Sequence, residues 1–211
     1  NYDESMKQLP NILSGVTIER IEVWVTNKTG ATTNDRNIVG FTDLGEKNRI
    51  SNPMWGMGGN TNPSNSSNTL YETLVSQLST ARDISQTTQI LDGAGLVGGS
   101  DYEKLESARL LNSSEYKLNN ALGYISLKTT LQTDQVLAVA FEYTYRGTRY
   151  QVGEFSTDRK DNKEALFVKT LKNTACNPQM GNWDLMMKNV YALGATSKQK
   201  EKFRLDIKLL S

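Results

Sequence analysis

Two alternating runs joined by a short turn are the feature that most constrains this sequence. Residues 136–145 place apolar or aromatic side chains at every second position: Leu137, Val139, Phe141, Tyr143 and Tyr145. A second run covers residues 149–155, and Arg146-Gly147-Thr148 lies between the two. Successive side chains of a strand point to opposite faces, so this spacing predicts a β-hairpin with one apolar face.

Shorter alternating runs predict further strands. The run over residues 16–27 changes phase at Glu19-Arg20, which indicates a β-bulge in the first strand. Residues 37–44 predict a second strand, antiparallel to the first, and residues 124–127, 166–171 and 203–209 predict three more. Together they indicate a mainly β fold, which we expect to be an antiparallel, jelly-roll-like β-sandwich.

Helical and loop signals concentrate between residues 48 and 111. Residues 48–68 are rich in Gly, Asn, Ser and Pro and predict a long loop. Leu70, Leu74 and Leu78 follow helical spacing, and residues 83–91 predict a second short helix. The Ser100-x-x-Glu103 capping box predicts a helical turn through residues 105–108. We therefore expect one α+β domain over residues 1–211, with residues 48–111 as a loop and helical insertion.

The composition removes the commonest catalytic equipment. The chain has no histidine, the usual general base and zinc ligand, and its one cysteine, Cys176, has no intrachain disulfide partner. A net charge of +1 gives no overall field that would attract nucleic acid. We therefore predict a non-enzymatic protein with no cofactor, no metal site and no nucleic-acid partner.

Two local patterns resemble functional motifs but have simpler interpretations. Residues 93–98 match the G-x-G-x-x-G dinucleotide fingerprint, but a polar and helical segment precedes them where the fingerprint requires a strand. We interpret them as a linker. Asp158, Asp161 and Glu164 alternate with basic residues and lack the spacing of a calcium loop, so they predict a solvated charged loop.

The candidate contact residues are aromatic and arginine side chains. Aromatic residues interleaved with arginines can grip a protein partner, and they can also simply cover a sheet. The candidates for partner contact are Trp55, Tyr145, Arg146, Arg149 and Tyr150.

Several longer strings carry a resemblance to a known family. They include VTIERIEVWVTN at residues 16–27, VLAVAFEY at 136–143, YQVGEFS at 150–156 and WDLMMKNVY at 183–191. In this order they resemble the SprA/Sov family of the Bacteroidota, cell-surface proteins needed for gliding motility and type IX secretion. The resemblance covers most of the chain and includes no catalytic motif.

The resemblance implies a segment of a very large outer-membrane β-barrel that conducts secreted cargo. This chain lacks the serial alternation of barrel strands, so we expect a soluble appendage that caps the pore mouth, gates it or docks partners. Its partners would be other type IX secretion subunits, cargo proteins and the parent barrel. Long loops of such barrels are extracellular, which favours the cell surface over the periplasm. The alternative is a carbohydrate-binding β-sandwich module with Trp24, Trp55 or Tyr150 as stacking platforms.

Overall fold

The computed structural model describes residues 2, 5, 7, 14–30, 32–47, 53–56, 61–159 and 161–187. Within these ranges the strands are β1 Val16–Val25, β2 Asp35–Phe41, β3 Tyr102–Leu110, β4 Tyr116–Asn119, β5 Tyr124–Leu127, β6 Leu137–Tyr145, β7 Thr148–Val152 and β8 Leu166–Lys172. The helices are α1 Leu70–Ser76 and α2 Thr87–Gly93, with 3-10 turns at Pro53–Trp55, Ser79–Arg82 and Trp183–Leu185. The strand predicted at residues 203–209 lies outside the described residues. None of the described helices is long and apolar enough to cross a bilayer.

The principal sheet closes on itself. Its strand order is β1-β3-β2-β8-β6-β7, and β1 also pairs with β6, so five strands form a barrel and β7 extends it from β6. The mainly β class is confirmed. The jelly-roll-like sandwich is not confirmed, because the sheet forms a closed barrel instead. The expectation of purely antiparallel pairing is wrong at one place, since β2 and β8 run parallel.

The predicted hairpin and the predicted first strand are confirmed, but the second strand of the hairpin covers Thr148–Val152 and not residues 149–155, so the turn has two residues and not three. β6 and β7 pair from Phe141 opposite Val152 to Tyr145 opposite Thr148. The register of β1 against β6 shifts between Ile18 and Arg20, which is where the change of phase indicated a bulge. The strands predicted near residues 124–127 and 166–171 are β5 and β8, and helices were correctly expected near residues 70 and 90.

Two local predictions are wrong. β2 does not pair with β1 but lies between β3 and β8. The helical turn expected through Leu105 and Ala108 is part of strand β3. The register of β3 against β2 shifts there, and Ser107 has a φ of 48°. This bulge puts Leu105 and Ala108 in the same interior cluster despite their three-residue separation, which imitates helical spacing.

Three hydrophobic clusters define the layers. The barrel interior holds Trp24, Ile38, Leu105, Ala108, Val136, Ala138, Ala140, Phe155, Leu166 and Val168. On one outer side, Val39, Phe41 and Phe167 pack against residues of α1 and α2. On another, Val23, Val25, Leu137 and Val139 pack against the β4–β5 hairpin. Strands β2 and β8 are therefore buried on both faces, because the barrel fills one face and the helices cover the other.

A loop between β7 and β8 closes one end of the barrel. This plug loop, described at residues 153–159 and 161–165, places the fully buried Phe155 in the interior cluster. The Glu22 carboxylate on β1 accepts hydrogen bonds from the amide and hydroxyl of Ser156 at 2.9 and 2.8 Å. Arg36 on β2 donates to the carbonyls of Ser156 and Arg159 at 3.1 and 2.7 Å. Barrel strands β1 and β2 thus hold the loop, mainly through its backbone.

Candidate functional site: the hairpin tip and the charged cleft

A two-residue turn forms the end of the β6–β7 hairpin. Arg146 and Gly147 both have positive φ values, 50° and 80°. This pair of values is typical of a type I′ turn, whose twist matches that of the strands it joins. We call Tyr145, Arg146, Gly147, Thr148 and Arg149 the hairpin tip. Because L-residues other than Asn and Asp rarely adopt positive φ, Arg146 costs the fold about 1–2 kcal/mol.

The aromatic side chains of the hairpin form a ladder on one face. Tyr143 lies opposite Tyr150, and their rings stack with centroids 5.2 Å apart. Phe141 stacks on Tyr143 at 6.0 Å. Arg149 and Tyr150 are consecutive strand residues, so their side chains leave the sheet on opposite faces. The predicted cluster of tyrosines and arginines is therefore split between the two faces of the hairpin.

The segment over residues 62–65 fixes this ladder from the side. The Tyr143 hydroxyl donates to the Pro63 carbonyl at 2.8 Å, and the Asn62 side-chain amide donates to the Tyr150 hydroxyl at 3.1 Å. The Asn65 backbone N–H donates to the carbonyl of Gln151, on the outer edge of β7, at 2.7 Å. Burial raises the pKa of Tyr143 above its ordinary value, so its hydroxyl stays protonated. The hairpin is thus held at both its strands.

The remaining candidates lie at the tip itself. Arg146 is exposed, and its guanidinium lies 5.1 Å from the centroid of the half-buried Tyr145 ring. The Arg149 side chain is 70% exposed, and its nearest described carboxylate oxygen, on Glu142, is 3.7 Å away. At that distance and exposure the pair contributes little to stability. The tip therefore presents two cations that are available to another molecule.

Trp55 is not on the surface. It is 4% exposed and packs in the cluster between the barrel and the helices, so it stabilises the core and does not face a partner. Trp24 is 1% exposed in the barrel interior. Of the three stacking platforms considered for carbohydrate, only Tyr150 has part of its ring at the surface. Trp24 and Trp55 therefore present no exposed ring to a glycan, and the carbohydrate-binding alternative stays a prediction that depends on Tyr150.

A charged cleft lies between α1 and the plug loop, and sequence reasoning did not find it. Its volume is about 450 Å³, and it is lined by Tyr71, Gln151, Glu154, Phe155, Asp158, Arg159, Asp161 and Glu164. Asp158, Asp161 and Glu164 were expected in a solvated loop, and here they form the exposed rim. Glu154 and Phe155 carry no local signal, because their partners come from distant parts of the chain.

Glu154, which lines this cleft, belongs to a buried ion pair. The Arg82 guanidinium donates both of its Nη groups to the Glu154 carboxylate, at 2.6 and 2.7 Å. The hydroxyl of Tyr71 and the amide of Phe167 donate to the same carboxylate at 2.8 and 3.0 Å. Burial by itself would raise the pKa of Glu154, but these four hydrogen bonds outweigh it and hold the pKa below its ordinary value. Glu154 is therefore ionised, and its lone pairs are in use.

The rim charges also neutralise one another. Arg159 contacts Glu164 at 3.1 Å and Glu154 at 3.4 Å, and Arg20 contacts Asp158 at 2.8 Å. Burial and the Glu154 charge raise the pKa of Tyr71 above its ordinary value, so its hydroxyl does not give up its proton near neutral pH and cannot serve as a catalytic acid there. No group of His, Cys, Asp and Glu in the described ranges is arranged to hold a metal ion. The geometry of the cleft suits cohesion between helices, barrel and loop.

Comparison of the chain with models of known protein families and with curated proteins found no match.

Proposed function

We propose that this chain is a non-catalytic structural and interaction domain of an outer-membrane translocon of the type IX secretion system. The family assignment comes from the sequence resemblance to SprA and Sov. In this role the domain caps or gates the pore mouth, or docks partner subunits and cargo, on the cell surface. The observation that carries an interaction role is the exposed hairpin tip on a firmly anchored hairpin.

A structural role is supported by how the buried charges are used. Arg82 and Glu154 satisfy each other at 4% and 5% side-chain exposure, and Arg36 binds backbone carbonyls of the plug loop. Burying charges in this way is favourable only when their hydrogen bonds are satisfied internally. The hydrogen bonds of these groups hold the layers together. Interaction with other molecules is therefore assigned to surface features such as the hairpin tip.

The test uses the parent protein in a strain of Bacteroidota that carries this chain. A triple variant, Tyr145→Thr, Arg146→Asn and Arg149→Thr, removes the candidate side chains and keeps a sequence suited to a type I′ hairpin. We expect reduced type IX cargo in the culture medium and reduced gliding on agar, with the parent protein at normal abundance.

The matched control is Lys117→Gln with Lys128→Gln. Both lysines are exposed on or beside the β4–β5 hairpin, and their replacement changes the net charge by the same amount. Secretion should remain at the wild-type level. Wild-type secretion by the triple variant would contradict a docking or gating role for the hairpin tip.

A further inference from the structure

We infer that the hairpin tip binds an acidic segment of a protein partner, with carboxylates paired to Arg146 and Arg149. This inference rests on the proposed function, since it names the chemistry of the partner that such a domain would dock. Arginine pairs with carboxylates through two parallel hydrogen bonds, which gives both strength and orientation.

The first support is the conformation of Arg146. Its φ of 50° belongs to the first central position of a type I′ turn, where Gly, Asn and Asp are the favoured residues. No other described residue forms an ion pair with it, so the turn gains no salt bridge in return for the strain. Its one described side-chain contact is with the Tyr145 ring, and backbone strain of this kind clusters at sites that act on another molecule.

The second support is the local charge. Arg146 and Arg149 lie on either side of Gly147 and Thr148, both exposed. Glu142 is the nearest described acid to Arg149, and its side chain is only 15% exposed. The tip therefore carries an excess of positive charge, although the whole chain has a net charge of only +1. A partner with negative charge complements it.

The third support is preorganisation. The stacked Tyr143 and Tyr150 rings and their hydrogen bonds to Pro63 and Asn62 fix the strands that carry the tip. The Tyr145 ring lies within cation–π distance of the Arg146 guanidinium. Little conformational freedom is then lost on binding, and this strengthens an interaction that uses few contacts.

The small size of the tip favours protein carboxylates over a polyanionic surface. Nucleic acids and anionic membranes bind through many phosphate contacts spread along an extended basic patch. Here only two guanidinium groups are exposed at the tip: that of Arg146 lies 5.1 Å from the Tyr145 ring, and that of Arg149 leaves the hairpin on the opposite face. Such a surface matches two or three carboxylates on a short segment of polypeptide.

The test measures binding of a fluorescent hexaglutamate peptide to the whole chain by anisotropy at low salt. Arg146→Asn removes one guanidinium and creates Asn-Gly, the preferred type I′ pair. We expect binding at least about fivefold weaker, the loss of one charge-assisted pair. The thermal midpoint should rise by about two degrees or more, because the strain at residue 146 is relieved. Lys128→Gln, the matched loss of one charge, should change binding less than about twofold.

Equal peptide affinity for Arg146→Asn and the wild type would overturn the inference. So would tighter, Arg146-dependent binding to phosphatidylglycerol vesicles or to a single-stranded thymidine oligonucleotide than to the peptide. The secretion assay separates the two proposals. If the triple variant blocks secretion while Arg146→Asn leaves peptide binding unchanged, the docking role stands and the acidic partner is wrong. If peptide binding requires Arg146 and the triple variant secretes at the wild-type level, the binding surface stands and the role of the hairpin tip in secretion is wrong.

Discussion

Arg82 and Glu154 meet in a two-pronged ion pair that joins the helical layer to the barrel. Arg82 ends the 3-10 turn between α1 and α2, whereas Glu154 is the second residue of the plug loop after β7. The Arg82 guanidinium also lies 3.9 Å from the centroid of the Phe167 ring on β8. One arginine side chain therefore contacts the plug loop and a barrel strand at once, and the Arg82 carbonyl accepts the amide of Ala165 at 2.8 Å.

Breaking this pair should destabilise the whole fold. Glu154→Gln leaves the Arg82 charge buried without its counter-charge, and such changes cost about 3–5 kcal/mol. The free energy of unfolding from urea titration measures the loss. The matched control is Glu164→Gln, whose side chain is 45% exposed and whose loss should cost less than about 1 kcal/mol. Similar costs for the two variants would contradict the central role of the buried pair.

The lowered pKa of Glu154 also predicts how the free energy of unfolding depends on pH. The folded pKa of Glu154 lies below its ordinary value of 4.5, so the folded state favours the ionised form. Its contribution is fully present above pH 4.5 and is lost as the pH falls through the lowered folded value. Urea titrations between neutral pH and pH 3 should therefore show a steeper acid loss for the wild type than for Glu154→Gln. Parallel curves for the two proteins would contradict this assignment.

Phe155 should be the main hydrophobic contribution of the plug loop. Its side chain is fully buried in the barrel interior, and the Arg20 guanidinium covers its ring at 3.7 Å. Phe155→Ala should cost about 3–5 kcal/mol, since the surrounding barrel cannot collapse into the space. Val97→Ala serves as the control, because Val97 is 60% exposed and should change stability by less than about 0.5 kcal/mol. Amide exchange of the plug loop would rise in the first variant only.

A side chain at Gly153 should lower the free energy of unfolding. Its φ is 75°, and a Cβ there would lie 3.3 Å from the Cα of Val168 and 3.3 Å from the Cβ of Ala140. Gly99 has a similar φ of 80° but no atom within 4 Å of a built Cβ, so it isolates the backbone strain. Gly99→Ala should cost about 1 kcal/mol and Gly153→Ala about 2–3 kcal/mol. If urea titration shows the same loss of unfolding free energy for both variants, the neighbouring strands shift to accommodate the added methyl group and the prediction is wrong.

Strong local patterns were read correctly. The β6–β7 hairpin, the place of its turn to within one residue, the bulge in β1 and the strands near residues 124 and 166 all follow from alternation and turn residues. Such signals depend on neighbours in the sequence, and the structure retains them. By contrast, the bulge in β3 put Leu105 and Ala108 on one face at helical spacing, so periodicity indicated the wrong element there.

The candidate site could likewise be predicted from the sequence only in part. The hairpin tip was visible in the sequence, because its residues are close together and their turn chemistry is local. The sequence did not show which face of the hairpin each side chain occupies. Tyr150 joins the aromatic ladder, whereas Arg149 lies on the opposite face. Trp55 resembled a surface aromatic in a polar segment, yet it fills the space between barrel and helices.

The sequence by itself determined most strand-forming segments, a turn between β6 and β7 and the lack of histidine chemistry, because these depend on residue type and spacing alone. Only the tertiary structure decided that the sheet closes into a barrel with a parallel β2–β8 pair. It also brought Arg82 to Glu154 across 72 residues of chain. Pairings over such distances depend on which apolar faces bury one another, and no local pattern records that choice.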